Sequence, residues 1–305
     1  MVINDKKFII PLRKASIIAE LENNIIKETG RIDVPYTSKS IFSYNRLFVS
    51  ICFGSKNKSK RLKIFNEYGN QLLRKNEYKF ESINFKDNTV YLGGQYNKNK
   101  RELFTYIDLS DVNFEMNEVI LPIKSIEGKS IDDILIRNNI LYLVDNIVYP
   151  KFIFKYDINI PNNPKYIGNH KLEENGTYEH IIKGDISENW IILFSFTVGM
   201  GGVYQHISII GQDENFKKNI VLTFCVEDKI FSENIGNKYN RVLDTCLINN
   251  KLMVLKENGL FSLDLENEKN MLQINSNEEK YLKFLKINED NYIIQNEEKF
   301  ELIEL

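Results

Sequence analysis

Cysteine is scarce in this chain. Cys52, Cys225 and Cys246 are far apart, and each has apolar neighbours. An odd, scattered set builds neither a disulfide framework nor a zinc site, so buried reduced thiols are expected. With only 6 Pro and 15 Gly, the chain lacks the composition of a disordered or low-complexity protein. No apolar run reaches the roughly 18 residues that a membrane-spanning helix needs. Charge of one sign is missing too: 40 basic residues face 42 acidic ones, a net charge of -2. No basic field exists to hold a phosphate backbone, so nucleic acid is not an expected partner. The opening stretch MVINDKKFIIPLRKAS has no apolar core long enough for a secretion signal, which gives the expectation of a cytoplasmic protein without a membrane partner. No Gly-x-Ser-x-Gly elbow occurs, so a serine hydrolase of that type is unsupported.

Aromatic residues are plentiful. The 16 Tyr and 19 Phe lean the chain toward β structure. Lys, Asn and Ile are abundant, as in an AT-rich coding genome, and this points to a bacterial source.

An internal repeat organises the sequence, and asparagine marks it. Tyr44-Asn45-Arg46-Leu47-Phe48-Val49 is followed by Asp87-Asn88-Thr89-Val90-Tyr91-Leu92 and by Asn138-Asn139-Ile140-Leu141-Tyr142-Leu143. The pattern returns at Asn189, Asn250 and Asn291, with gaps of 43, 51, 50, 61 and 41 residues. Each instance is a polar turn ending in Asn, then a strand of β-branched, aromatic or aliphatic residues. Asn tolerates a positive φ and bonds its own backbone, which suits a tight hairpin. A further strand often closes on an acid or amide, as in Leu62-Lys63-Ile64-Phe65-Asn66, Phe104-Thr105-Tyr106-Ile107-Asp108 and Phe261-Ser262-Leu263-Asp264.

Four short antiparallel strands every 40 to 50 residues make the repeat of an all-β fold, the β-propeller. One such sheet cannot bury both its faces alone, and stacked neighbours can. Asn4 lies 41 residues before Asn45 and heads a seventh repeat. Residues 15–29 also fit a helix, with strands preferred. The last repeat has three evident strands, and a strand borrowed from the other terminus is the expected closure. The expectation is a single domain over 1–305 with seven blades, six being the alternative. The blades fall near 1–32, 36–76, 79–124, 129–172, 177–226, 240–275 and 279–305.

Within Ile131 to Leu172 the stretches DDILIRNNILYLVD, FIFKYDIN and PNNPKYIG resemble the repeats of seven-bladed bacterial propellers of the LVIVD and YncE-like type. The resemblance covers one blade, about 42 residues. It implies a fold and no activity, because that fold hosts many functions.

The stretch Phe196 to Tyr204, FTVGMGGVY, holds three glycines within four residues. A phosphate-binding loop would need a helix after it. Here the next residues alternate like a strand, so the glycines read as a hairpin turn. That turn belongs to the face of a propeller that commonly carries the binding site. The first strands of several repeats begin with Glu81, Asp132, Asp133, Glu179, His180 and Asp244, giving an expected acidic ring at one end of the channel. Converging carboxylates repel. A hard cation such as Ca²⁺ or a basic group of a partner would offset them, although no fixed-spacing motif supports a metal and no cofactor is expected. His206 and Tyr204 fall in the same repeat as His180, and both histidines could approach one face. Phe231 and Tyr239, in the longest connection, are the kind of aromatic anchor that interfaces use. Basic turns at 55–61 and 96–101 add an opposite charge to that face.

Two functions follow. The first is a non-catalytic protein-binding module with a protein partner, in one version a bacterial immunity or inhibitor-type protein acting through the acidic face. The alternative is a metal-dependent hydrolase or lyase at the channel mouth, using Glu81, Asp132, Glu179, His180 and Asp244.

Overall fold

The computed structural model describes residues 7–34, 40–44, 46–53, 60–75, 82–93, 103–121, 133–145, 152–172, 180–199, 202–212, 219–228, 241–248, 250–267, 271–287 and 291–303. Every regular element among them is a strand. Sheet 1 contains β1 (Lys7–Ile10), β2 (Ser16–Glu22) and β3 (Ile25–Ile32). Sheet 2 contains β4 (Ser40–Tyr44), β5 (Leu47–Phe53), β6 (Lys60–Asn66) and β7 (Gln71–Lys75). Sheet 3 contains β8 (Ser82–Lys86), β9 (Thr89–Gly93), β10 (Leu103–Asp108) and β11 (Met116–Ile120). Sheet 4 contains β12 (Asp133–Arg137), β13 (Ile140–Asp145), β14 (Phe152–Asp157) and β15 (Lys165–Lys171). Sheet 5 contains β16 (His180–Ile186), β17 (Trp190–Gly199), β18 (Gly202–Gly211) and β19 (Asn219–Asp228). Sheet 6 contains β20 (Val242–Ile248), β21 (Lys251–Lys256), β22 (Gly259–Asp264) and β23 (Leu272–Ser276). Sheet 7 contains β24 (Lys283–Lys286), β25 (Tyr292–Gln295) and β26 (Phe300–Ile303).

Seven antiparallel sheets of three or four strands, each in chain order, make this an all-β, seven-bladed β-propeller. The rival helix over 15–29 is replaced by β2 and β3. They meet at Asn23 and Asn24, whose φ angles of 50° and 60° are left-handed, as a two-residue hairpin requires. The terminal sheets each draw three strands from their own end of the chain, so the expected borrowed strand is not seen among the described residues.

In four repeats the marking asparagine has a role other than a positive φ. The left-handed residue is its neighbour in two of them: Asp87 (φ 53°) before Asn88 and Asn138 (φ 51°) before Asn139. The asparagine's carbonyl instead accepts the first N–H beyond the third strand. Leu109 donates to Asn88 at 2.7 Å, Ile158 to Asn139 at 2.8 Å, Gln212 to Asn189 at 2.7 Å and Leu265 to Asn250 at 2.9 Å. The acid or amide that closes the third strand starts the next turn. Asn66, Asp108, Asp157 and Asp264 each accept the N–H two residues on, at 2.8 to 3.1 Å. These are Asx turns, which a short polar side chain forms with its own backbone.

Burial runs outward across each sheet. The second strands are the most buried: β9 is buried at all five positions and β25 at all four. The fourth strands are wet, with β23 exposed throughout. The chain forms two compact units, Met1–Leu121 with Leu285–Leu305, and Pro122–Phe284. In the first, Phe8, Ile10, Ile17 and Ala19 of sheet 1 share a core with Leu285 and Ile293 of sheet 7. Gln295 Nε2 ties the same two sheets by donating to the Pro11 carbonyl at 2.8 Å. Ile9, Ile18 and Ile32 pack on Phe48 and Phe65 of sheet 2, and Val49, Leu62 and Ile64 on Val90 and Leu92 of sheet 3. In the second unit, Leu135, Tyr142 and Val144 pack on Ile191 and Leu193, while Ile192, Phe194 and Ile207 pack on Leu252 and Val254. Cys246 is a free, buried thiol; the side chains of Cys52 and Cys225 lie outside the described residues.

Candidate functional site

The second unit carries the polar groups of interest. Its first strands β12, β16 and β20 lie side by side. Each carries an aspartate whose Oδ1 accepts the N–H of the next residue: Asp133 from Ile134 at 3.0 Å, Asp185 from Ile186 at 2.9 Å, and Asp244 from Thr245 at 2.8 Å. The second oxygen reaches the neighbouring first strand. Asp185 Oδ2 accepts the Leu247 N–H at 2.8 Å, and Asp244 Oδ2 accepts the Phe284 N–H at 2.7 Å. Asp133 Oδ2 lies against Gly184, where an added Cβ would meet it at 2.7 Å. These carboxylates clamp one blade to the next.

Lys183 supplies the counter-charge. Its Nζ donates to Asp244 Oδ1 and Oδ2 at 3.2 and 3.3 Å and to the Thr245 carbonyl at 2.7 Å, and it lies 5.9 Å from the Phe284 ring centre. Burial alone would lower the pKa of Lys183; Asp244, Cys246 and Asp185 outweigh it, and the pKa is raised. Lys283 differs. Burial, reinforced by the Lys183 charge and opposed by Asp244, pushes its ammonium down to about 8.

Among the acids expected to form an open ring, Asp133 and Asp244 are therefore buried, at 5% and 8% exposure, with carboxylates taken up by backbone N–H groups. Glu81, Asp132 and Glu179 lie outside the described residues, as do Phe231 and Tyr239, the basic turn at 96–101 and residues 55–59 of the one at 55–61. His180 opens β16, opposite Phe196, and its side chain is not described. His206 pairs with Ser195, so the two histidines occupy adjacent rungs of sheet 5. His206 is buried between two hydroxyls, with Nδ1 3.1 Å from Thr223 Oγ1 and Nε2 3.4 Å from Thr197 Oγ1.

Sheet 5 departs from its neighbours in length. Among the described residues, β17, β18 and β19 have ten residues each, against four to eight in every other sheet. Ten residues extend roughly 33 Å. β17 and β18 stay paired to the end, Gly199 against Gly202, so the glycine stretch is a hairpin, with Gly202 at φ 150°. Its described tip holds Val198, 59% exposed and opposite Val203, and half-buried Tyr204 opposite Thr197. Gln205 anchors the extension: its amide donates to the Val242 carbonyl and accepts the Val242 N–H, both at 2.8 Å.

Beside that anchor, Lys256 ends β21 opposite Val242. Its ammonium lies 5.2 Å from the Phe224 ring centre and 5.0 Å from that of Phe261. Reasoning from sequence missed Lys183, Asp185, Gln205 and Lys256. The available signal was polarity at positions where strand alternation calls for an apolar side chain. Among the described residues, no group of three or more His, Cys, Asp or Glu is arranged to hold a metal ion.

No protein-family model matches the sequence, and no curated protein matches it. Solved structures share the fold. A chain of Kuenenia stuttgartiensis hydrazine synthase superposes with a TM-score of 0.64 at 10% identity, over 100% of this chain and 94% of that one. A chain of the S. cerevisiae structure of Dbp5 bound to Nup159, Gle1, IP6 and ADP gives 0.55 at 10% identity, over 99% and 86%. The streptogramin B lyase structure gives 0.50 at 10% identity, over 99% and 95%. At such identity the likeness is one of fold, and the folding pattern implied by the sequence resemblance is the one observed.

Proposed function

We propose that this chain is a non-catalytic protein-binding β-propeller that engages its partner through the long hairpin of sheet 5. The observation that carries this reading is the hairpin itself. Among the described residues, three strands run longer than any in the other sheets, a buried glutamine fixes the hairpin to β20, and an exposed valine stands near its tip. A rigid hairpin with an exposed apolar side chain suits recognition of a protein surface, because little ordering entropy opposes binding. A propeller of similar fold occurs in an assembly that contains Dbp5, Nup159 and Gle1, which is in keeping with the reading. The finer version is an inhibitor or immunity-type protein that holds one target in a one-to-one complex. The hydrolase alternative draws less support: Asp244, which it would place around a cation, accepts two backbone N–H groups and the Lys183 ammonium instead.

The test is capture from source-cell lysate on the purified chain, compared with a Val198→Asp bait of unchanged melting temperature. One stoichiometric protein bound by the native bait and lost with the variant is the expected result. Equal capture by both baits, or no protein on a folded native bait, would sink the proposal.

A further inference from the structure

We propose that Lys256, held between Phe224 and Phe261, is a receptor for an acidic side chain of the bound protein. This inference rests on the protein-binding reading and names the chemistry of the partner at the same end of sheet 5.

The argument begins with what an ammonium needs. It has three N–H donors and a full charge, and burial removes the water that would serve both. Lys256 is only 9% exposed. The two rings attract its charge through their faces but offer no directed acceptor. Lys183, in the same unit, has a carboxylate and a carbonyl on its ammonium, and its pKa is raised. Lys256 shows the opposite: burial is the sole influence on it, and its pKa is lowered. No acid acts on it. Glu257 is the next residue, on the alternate rung, and Arg241 precedes Val242, the residue opposite Lys256. A cation kept in a desolvated box without a counter-ion is destabilising, and a Met or Leu would fill the same space without that cost.

The lysine is also held in position. Its carbonyl accepts Asn277 Nδ2 at 3.0 Å, and Asn277 Oδ1 accepts the Tyr281 N–H at 2.7 Å. β20 and β22 flank it by backbone pairing, and Phe224 closes the side toward sheet 5. One fixed ammonium between apolar walls matches a single negative charge on an apolar stem, as in a glutamate side chain. A dianionic phosphate would need further donors. A carboxylate bound here restores the missing partner and raises the lysine's pKa. Binding then weakens as pH rises and the ammonium loses its proton.

The test uses protein carrying ¹³C-labelled lysine, with the Lys256 signal identified by its loss in Lys256→Met. The probes are N-acetylglutamate amide, its neutral counterpart N-acetylglutamine amide, and inorganic phosphate. The expected result is a saturable shift of the Lys256 signal with the glutamate probe, at least threefold larger than the shifts of exposed Lys165 and Lys251. The glutamine probe leaves it unmoved. Phe224→Leu, which removes one wall and keeps an apolar side chain, weakens the response. A Lys256 signal that moves no more than those of Lys165 and Lys251 overturns the inference. So does saturation by phosphate in place of the glutamate probe. No partner protein is needed, so a failure here leaves the hairpin reading to its own capture experiment.

Discussion

Lys183 and Lys283 sit beside the same aspartate and respond oppositely. Lys183 touches Asp244 directly and keeps its proton, while Lys283 meets burial and a neighbouring cation, and its pKa falls to about 8. In an unfolded chain a lysine titrates near 10.4. Between about 8 and 10.4 the unfolded state therefore binds more protons than the folded one, and stability rises with pH across that window. Below about 8 the cost of burying the charge is fully present. Urea midpoints measured at pH 7.5 and pH 9.5 should show the native chain gaining stability relative to Lys283→Met, which itself should be the more stable at pH 7.5. Equal pH dependence of both proteins would contradict this placement of the lysine. The sequence made Asp133 and Asp244 visible as polar starts of first strands. It could not reveal their use, because the N–H groups they accept include ones on a strand some 40 residues away, as with Asp244 and Phe284.

At the scale of elements, the repeat was legible because a hairpin leaves two local marks: an asparagine at the turn and β-branched alternation after it. Its chemistry was misread by one position, since the left-handed residue is the neighbour of the asparagine in sheets 3 and 4. The marker works through its carbonyl, a backbone atom whose partner lies about twenty residues on. The closing acid of each third strand was seen as a pattern, and the structure supplies its reason, the Asx turn. Asp157→Ala should remove the acceptor for the Asn159 N–H and destabilise by about 1 kcal/mol, the usual worth of one such bond. A thermal melt within error of the native chain would refute that reading of the turn. The length of sheet 5 was not anticipated, because nothing local distinguishes a strand that outlasts its neighbours from one that ends with them.

For the whole molecule, the all-β class followed from the period, since stacked sheets bury both faces of each repeat, while the period left six or seven blades open and the structure has seven. Closure did not follow. It depends on side chains from opposite ends of the chain meeting in one cluster, with Ile10 and Ile293 both fully buried. Truncating Ile293 to Ala should cost about 3 kcal/mol, within the range for a buried isoleucine. Ile10→Ala should cost a comparable amount, and the double variant less than the sum, because the two side chains share one cavity. Strict additivity in chemical denaturation would place them in separate environments.

Gln295 and Pro11, joined by a hydrogen bond, are 284 positions apart. On the ribosome this order matters. The apolar face of sheet 1 emerges early and waits through the synthesis of five further sheets before residues 285–305 can cover it. Sheets 4, 5 and 6 have neighbours in sequence for the faces described and need no such delay. A nascent chain paused near residue 284 would therefore hold finished blades in the middle and an uncovered one at the start, the form in which it most needs a chaperone.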